Sequence, residues 1–427
     1  MIKLGAATLA ILPLTLAFSA CGGDQRSDGS DDLRAIAEEA FIYAYPMMEQ
    51  IKTVNGMFAT LGMEPNVPTM NPRPPRENIG LPIVLNNLTS MTGGIFIDVS
   101  GGPVTLQIPE VTDRYIVYQM VDEFTHNFAY LGTRANGGEG GRFVLHNASQ
   151  TPDAAAGTPI EMEGDFAFIV IRIDITDDSE LEEIRRIQDA IQVVDAPATN
   201  RDYPVYDEAK AFSPDFVEYL NELLTEVPPS EAALFNRFAR IGIMSDVELD
   251  SEQRAEVQDG IDAGFARIQA AMADLDVGNG YIGATEIFGS RDFMEGRYLE
   301  RAVGAYFGLW GNDKAEANYF MTTVEGEGEV RFGPGDFPPL TDIGFWSITV
   351  YDDKLMNTVN PYDSYVLTAD RMEFEDDGSA VFRFSSSPEE GNWLYTPTEQ
   401  FSIVIRAYQA DPALIGDYVP PAFIPRD

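Results

Sequence analysis

The chain has one cysteine, Cys21, and two histidines, His126 and His146, among 427 residues. A lone cysteine can form neither an internal disulfide nor a thiolate cluster. With no cysteine in the body, a His/Cys zinc site is excluded, and two distant histidines barely allow a histidine-based one. Cations are scarce: 28 Lys and Arg stand against 69 Asp and Glu, a formal net charge of −41. So negative a surface lacks the basic patches that DNA, RNA or anionic lipid require, and no nucleic-acid partner is expected. There is no Gly-x-Ser-x-Gly elbow and no phosphate loop, and no cofactor or metal is expected. Beyond the first turns of the chain, no apolar run approaches the roughly 18 residues of a membrane span.

What is present begins with Lys3 and the apolar stretch Leu4 to Ala17. A short apolar run behind a basic start has the layout of a secretory signal. It ends Phe18-Ser19-Ala20-Cys21, which resembles the bacterial lipoprotein box, with Phe18 where leucine is usual. The expectation is a signal peptide over 1–20, lipid attachment at Cys21 and a polar, glycine-rich tether over 21–31. Gly22 stands where an Asp would be a retention signal, which points to an outer-membrane lipoprotein of the cell envelope. Acyl chains contribute about 0.8 kcal/mol per buried CH₂, so more than one chain anchors stably. The acids are scattered rather than clustered. This favours a salt-screened surface, as in a marine or halophilic bacterium, over divalent-cation binding.

Leu33, Ile36, Ala40, Phe41 and Ala44 recur at helical spacing and predict a helix from Asp31 to about Gln50, with Pro46 disturbing its end. Prolines crowd residues 63–82 and mark an irregular connector. Val104–Ile108, Arg114–Met120, Arg142–Leu145 and Phe166–Ile173 read as strands, with Gly137–Gly141 as a wide hairpin turn. Ser179, Ser213-Pro214, Pro228-Pro229 and Ser251 then open four helices, the first reaching about Val194 and the last about Leu275. Strands return at Phe345–Tyr351, Tyr365–Leu367, Ala380–Phe384 and Phe401–Tyr408. Strand blocks kept apart from helices predict an α+β, β-rich fold: two β-sandwich-like domains, a helical N-terminal segment and a central helical block. The expected boundaries are 32–176, 177–317 and 318–427.

Several stretches are similar to a known bacterial pair, the domain-of-unknown-function family 1254 followed by its partner 1214. Ala40 to Pro46, Asp98 to Val104, Asp113-Arg114-Tyr115, and Asp122 to Tyr130 leading into Gly132-Thr133-Arg134 carry the first. Phe345 to Asp352, Asn360-Pro361, Asn392-Trp393-Leu394 and Arg406-Ala407-Tyr408 carry the second. The resemblance implies two β-sandwich-like parts with helices around and between them, and it implies no particular activity. One segment departs from the family's Asn-x-Asp-Thr-x-Tyr-Ser pattern: here it holds Asn87, Thr89, Ser90, Thr92 and Gly93.

Asp274 to Gly280 has acids at tempting intervals, but Gly278, Asn279 and Thr285 fall where an EF-hand needs an oxygen ligand, Gly and Glu, so it reads as a turn. Ser347, on an alternating strand, reads as a packing residue. Polar groups set among aromatics are the candidate pocket: Asp122, His126, Arg134, Trp346, Tyr351, Asp352, Asn360, Trp393 and Arg406. They serve either as buried pairs and turn caps or as a lining between the β domains. The expected function is binding of a small ligand or an envelope protein. The alternatives are a hydrolase with Asp122 or Asp352 as general base, or a structural surface protein with no pocket.

Overall fold

The computed structural model describes residues 32–73, 85, 87–175, 178–357 and 360–426. The expected signal peptide, Cys21 and the tether lie outside them, as does much of the proline-rich connector.

The strand Phe166–Asp174 shows how the N-terminal sandwich arises. Ala167, Ile169, Ile171 and Ile173 point to one face, and Phe166, Phe168, Val170 and Arg172 to the other, as the two-residue period requires. The strand lies between Ser90–Asp98 and Ile116–Asp122 in an antiparallel five-stranded sheet, with Thr69–Met70 and Asn127–Gly132 at the edges. Its odd-numbered face closes on Leu106, Ile108 and Leu145 of a four-stranded second sheet. Its even-numbered face is covered by helices, so the strand is apolar on both sides.

The C-terminal sandwich repeats the logic. Gln400–Ala410 sits between Ala317–Glu325 and Leu340–Tyr351 in a six-stranded sheet. Phe320, Trp346, Ile348 and Ile405 pack inward on Phe332 and Phe382 of a second, four-stranded sheet. Tyr319, Phe345, Val404, Arg406 and Tyr408 face outward, toward the N-terminal sandwich and the helices.

The helical layer starts at Asp32, whose carboxylate accepts from Arg34 N. The helix runs Leu33–Leu61 and carries Pro46 inside it, well past the expected end at Gln50. A proline in a helix interior costs about 3 kcal/mol. Met47, Met48, Ile51, Val54 and Met57 continue the apolar stripe and are buried, which outweighs that cost. The partner helix, Ser251–Ala271, is capped by Asp250 in a capping box with Gln253, one residue before the expected Ser251. Gly260 lets the two helices meet: a Cβ there would lie 2.3 Å from the Arg34 carbonyl oxygen.

Two further expectations change. The helix opened near Ser179 ends at Ala190, and Gln192–Asp195 becomes an edge strand beside Val104–Ile108, with Ile191 buried in the sandwich. Gly137–Gly141 is no hairpin turn. After one helical turn, Thr133–Asn136, it carries the chain from the five-stranded sheet to the four-stranded one. Gly138 has φ 75°, and a Cβ there would strike the Val111 carbonyl. The segments therefore interleave. The N-terminal helix belongs with the central helices, while residues 276–283 extend the C-terminal sheet. No helix among the described residues is long and apolar enough to cross a membrane.

Candidate functional site between the two sandwiches

The two sandwiches are stitched along one seam. Tyr115 Oη donates to Glu316 Oε1 at 2.8 Å, and Arg134 Nε meets Glu316 Oε2 at 2.5 Å. Asp313 N donates to Tyr130 Oη at 3.0 Å. Tyr115 packs against Phe345 and Tyr408, themselves stacked at 4.4 Å. Glu316 is 1 % exposed, so its charge is held by this pairing rather than by water.

Beside the seam the outer faces of the two large sheets diverge and leave a cavity of about 170 Å³. The N-terminal sheet contributes Thr92, Gly93, Gly94, Phe168, Val170 and Arg172, and the C-terminal sheet contributes Tyr319, Val404 and Arg406. The end of the first helix and the turn Gly308–Gly311 close the sides. Gly94 keeps the wall open to Phe168: a Cβ would come within 2.5 Å of that ring. Trp310 holds φ 62°, a left-handed conformation costly for a bulky residue. Its ring stacks on Phe168, its Nε1 donates to Gln50 Oε1 at 3.0 Å, and its carbonyl accepts from Arg172 Nη2 at 3.0 Å.

The two cavity arginines are held by neutral groups. Arg172 Nη1 donates to Gln119 Oε1 at 2.7 Å. Arg406 Nη2 donates to Tyr351 Oη and to the Leu85 carbonyl, each at 2.8 Å, and Nη1 reaches Thr349 Oγ1 at 3.3 Å. Burial disfavours the charged Arg406, yet the neighbouring Tyr351 and Tyr408 hydroxyls keep its pKa raised. Tyr319, directly across from Arg406 in the sheet register, accepts from Asn312 N and Nδ2.

A second polar cluster lies elsewhere, under the helical layer. Asp122 Oδ1 accepts from Phe124 N at 2.9 Å and His126 N at 2.8 Å, while Oδ2 faces His126 Nδ1 at 3.3 Å. Asp122, His126 and Glu163 offer ligand atoms within 4.8 Å of one another. A cation already lies there: Arg291 pairs with Glu163 and, at 3.2 Å, with Glu231, which also accepts from Tyr43 Oη at 2.7 Å. Burial lowers the His126 pKa, against the opposing pull of the Asp122 carboxylate. Burial raises Asp122, but His126 and Arg291 outweigh it and leave the carboxylate lowered. Burial, then Asp122, pushes Glu163 up to about 7. Glu123 is also raised, by burial and then by Asp122, and its Oε2 has no hydrogen-bond partner. The void beside Thr125 and Arg301 is only about 10 Å³, no more than one water needs.

Comparison with known proteins fits this architecture. The family of proteins of unknown function DUF1254 matches residues 66–195, and the family DUF1214 matches 316–412. The chain is a DUF1254–DUF1214 protein. A crystal structure of a Vibrio parahaemolyticus protein shares the fold, with a TM-score of 0.73 at 20 % identity over 92 % of this chain and 100 % of that one. A Burkholderia cenocepacia structure, putative and uncharacterised by its own description, covers 93 % and 95 % at 13 % identity with a TM-score of 0.45. No curated protein matches the chain.

The DUF1254 and DUF1214 residues singled out in the sequence are distributed over several places. Arg406 lines the cavity, with Tyr351 behind it. Asp122 and His126 form the separate buried cluster. Arg134 holds the seam, and Trp346 fills the C-terminal core. Asp352 caps a turn through Lys354 N and Met356 N, and Asn360 caps another through Tyr362 N. Trp393 donates to Ser385 Oγ at the sheet edge. The Asn87–Gly93 segment that departs from the DUF1254 pattern supplies Asn87, Thr92 and Gly93 to the cavity wall. Sequence reading missed Arg172, Tyr319 and Trp310. A cation ending an otherwise apolar strand was the available signal for Arg172.

Proposed function

We propose that this protein is a cell-envelope lipoprotein that holds a small molecule in the cavity between its DUF1254 and DUF1214 sandwiches. One observation carries the binding reading: a mainly apolar cavity at a domain interface, furnished with two arginines and a tyrosine. Envelope placement draws on the N-terminal sequence alone, the basic start, short apolar run and Cys21. The hydrolase alternative draws on Asp122, His126 and Glu163. Asp122 and His126 are buried, and Arg291 already pairs with Glu163 and Glu231, so the groups of that cluster are committed to one another.

Native mass spectrometry of the protein purified from its own host tests the binding. A stoichiometric small-molecule adduct is expected, and it should disappear when Val404→Trp fills the cavity. A bare polypeptide mass for the wild type, or an adduct indifferent to Val404→Trp, refutes binding at this site. For the anchor, Cys21→Ser should move the protein from the membrane fraction to the soluble one. Continued membrane association of that variant refutes anchoring through Cys21.

A further inference from the structure

We infer that the cavity's ligand is a small organic carboxylate with an apolar body, about six to eight carbons in all, its charge set between Arg172 and Arg406. The inference rests on the ligand-binding reading above and names the class of molecule.

The first argument is charge. In a chain with 69 acids and 28 cations, a buried guanidinium would be expected to find a carboxylate. Arg134, Arg201 and Arg291 each do so, with Glu316, Asp165 and Glu163. Arg301 lacks a direct ion pair but is held by the Phe124 and Tyr43 carbonyls and feels Glu231 and Asp122. Arg172 and Arg406 meet no carboxylate among the described residues. Their partners are an amide, hydroxyls and backbone carbonyls. Arg406 is 3 % exposed, so water does little to compensate its charge. Two cations facing one cavity from opposite sheets, with no carboxylate partner among the described residues, favour an anion entering it. Tyr319, which bonds Asn312, adds a hydroxyl-bearing ring to the same lining.

The second argument is wall chemistry. Leu61, Phe168, Phe307, Leu309, Trp310 and Val404 surround the cationic end. Such walls suit hydrocarbon and would strip water from an inorganic anion without replacing it. The third is size. A cavity of about 150 Å³ lined by apolar side chains holds benzene, and this one is about 170 Å³. A benzoate-sized or hexanoate-sized molecule fits, whereas a long acyl chain does not.

The test uses full-length protein shown by native mass spectrometry to carry no adduct. Isothermal titration compares benzoate and hexanoate with benzyl alcohol, hexanol and inorganic phosphate, and tryptophan fluorescence, read against a Trp310→Phe control, gives a second readout. The acids should bind at least ~10-fold more tightly than the matched alcohols, as a charge-assisted hydrogen bond implies. Arg406→Gln should weaken the acids ~10-fold or more and leave the alcohols within about 2-fold. Should Arg406→Gln fail to fold, Arg172→Gln and Tyr319→Phe make the same comparison at half-buried positions. Alcohols binding as tightly as acids would overturn the carboxylate class while leaving cavity binding intact. Phosphate binding as tightly as benzoate would overturn the apolar body. Binding by none of the five probes would overturn the inference, and ligand binding itself is then judged by whether the host-purified protein carries an adduct.

Discussion

The indole of Trp310 lies flat on the phenyl ring of Phe168, with centroids 4.2 Å apart and planes within 6°. The contact joins the turn before the DUF1214 sandwich to the central strand of the DUF1254 sandwich, and it forms one wall of the cavity. Trp310 keeps φ 62° for this. Trp310→Ala should cost about 3–5 kcal/mol, because it removes a buried ring. Trp310→Gly should be the milder change by about 1 kcal/mol, the reverse of the usual order, because only glycine accepts this backbone freely. Chemical denaturation of both variants checks the ranking, and an alanine variant as stable as the glycine one would show that the backbone there carries no strain.

The Arg134–Glu316 pair should behave as a coupled unit. Removing Arg134 leaves Glu316 buried with only Tyr115, so Arg134→Met should destabilise by about 3 kcal/mol. Arg134→Met with Glu316→Gln should recover much of that loss, since no buried charge is then orphaned. A double-mutant cycle in urea measures the coupling, and strict additivity would argue against it.

Glu163 makes stability depend on pH in a stated direction. Burial, reinforced by Asp122, raises its folded pKa to about 7, above the ordinary value near ~4.3. The folded protein therefore holds this proton more tightly than the unfolded chain. Its contribution is complete below about pH 4.3 and is lost as pH rises through 7. The difference in unfolding free energy between wild type and Glu163→Gln should shrink or change sign across that window, with the variant gaining relative to wild type as pH increases. A pH-independent difference would mean that Arg291 holds Glu163 at an ordinary pKa.

Salt should stabilise the protein. A net charge of −41 repels itself at every exposed acid, and the Debye length falls from about 30 Å at 0.01 M to about 3 Å at 1 M. The melting temperature is expected to rise steadily with sodium chloride over that range. A flat or falling curve would mean that surface ion pairs outweigh the bulk repulsion.

Much of the fold was legible because each strand writes its own pattern. The alternation in Phe345 to Tyr351 assigns Trp346, Ile348 and Val350 to one face and Ser347, Thr349 and Tyr351 to the other, as found. The N-terminal helix end was not legible, because Pro46 is a local signal and the burial of Met57 is a long-range one. The grouping of the candidate residues was not legible either. Asp122 and Asp352 look alike in sequence, each a carboxylate beside aromatics, yet one joins a buried charged cluster and the other caps a turn.

The sequence by itself determined the β-rich α+β class, the two-family organisation and the acidic character, since these follow from periodicity, motif order and composition. Only the tertiary structure decided which polar groups share a space. Arg172 and Arg406 are 234 positions apart, and nothing local marks either as the other's neighbour. They line one cavity because two sheets present their outer faces to each other, and a face is a property of packing that no single strand contains.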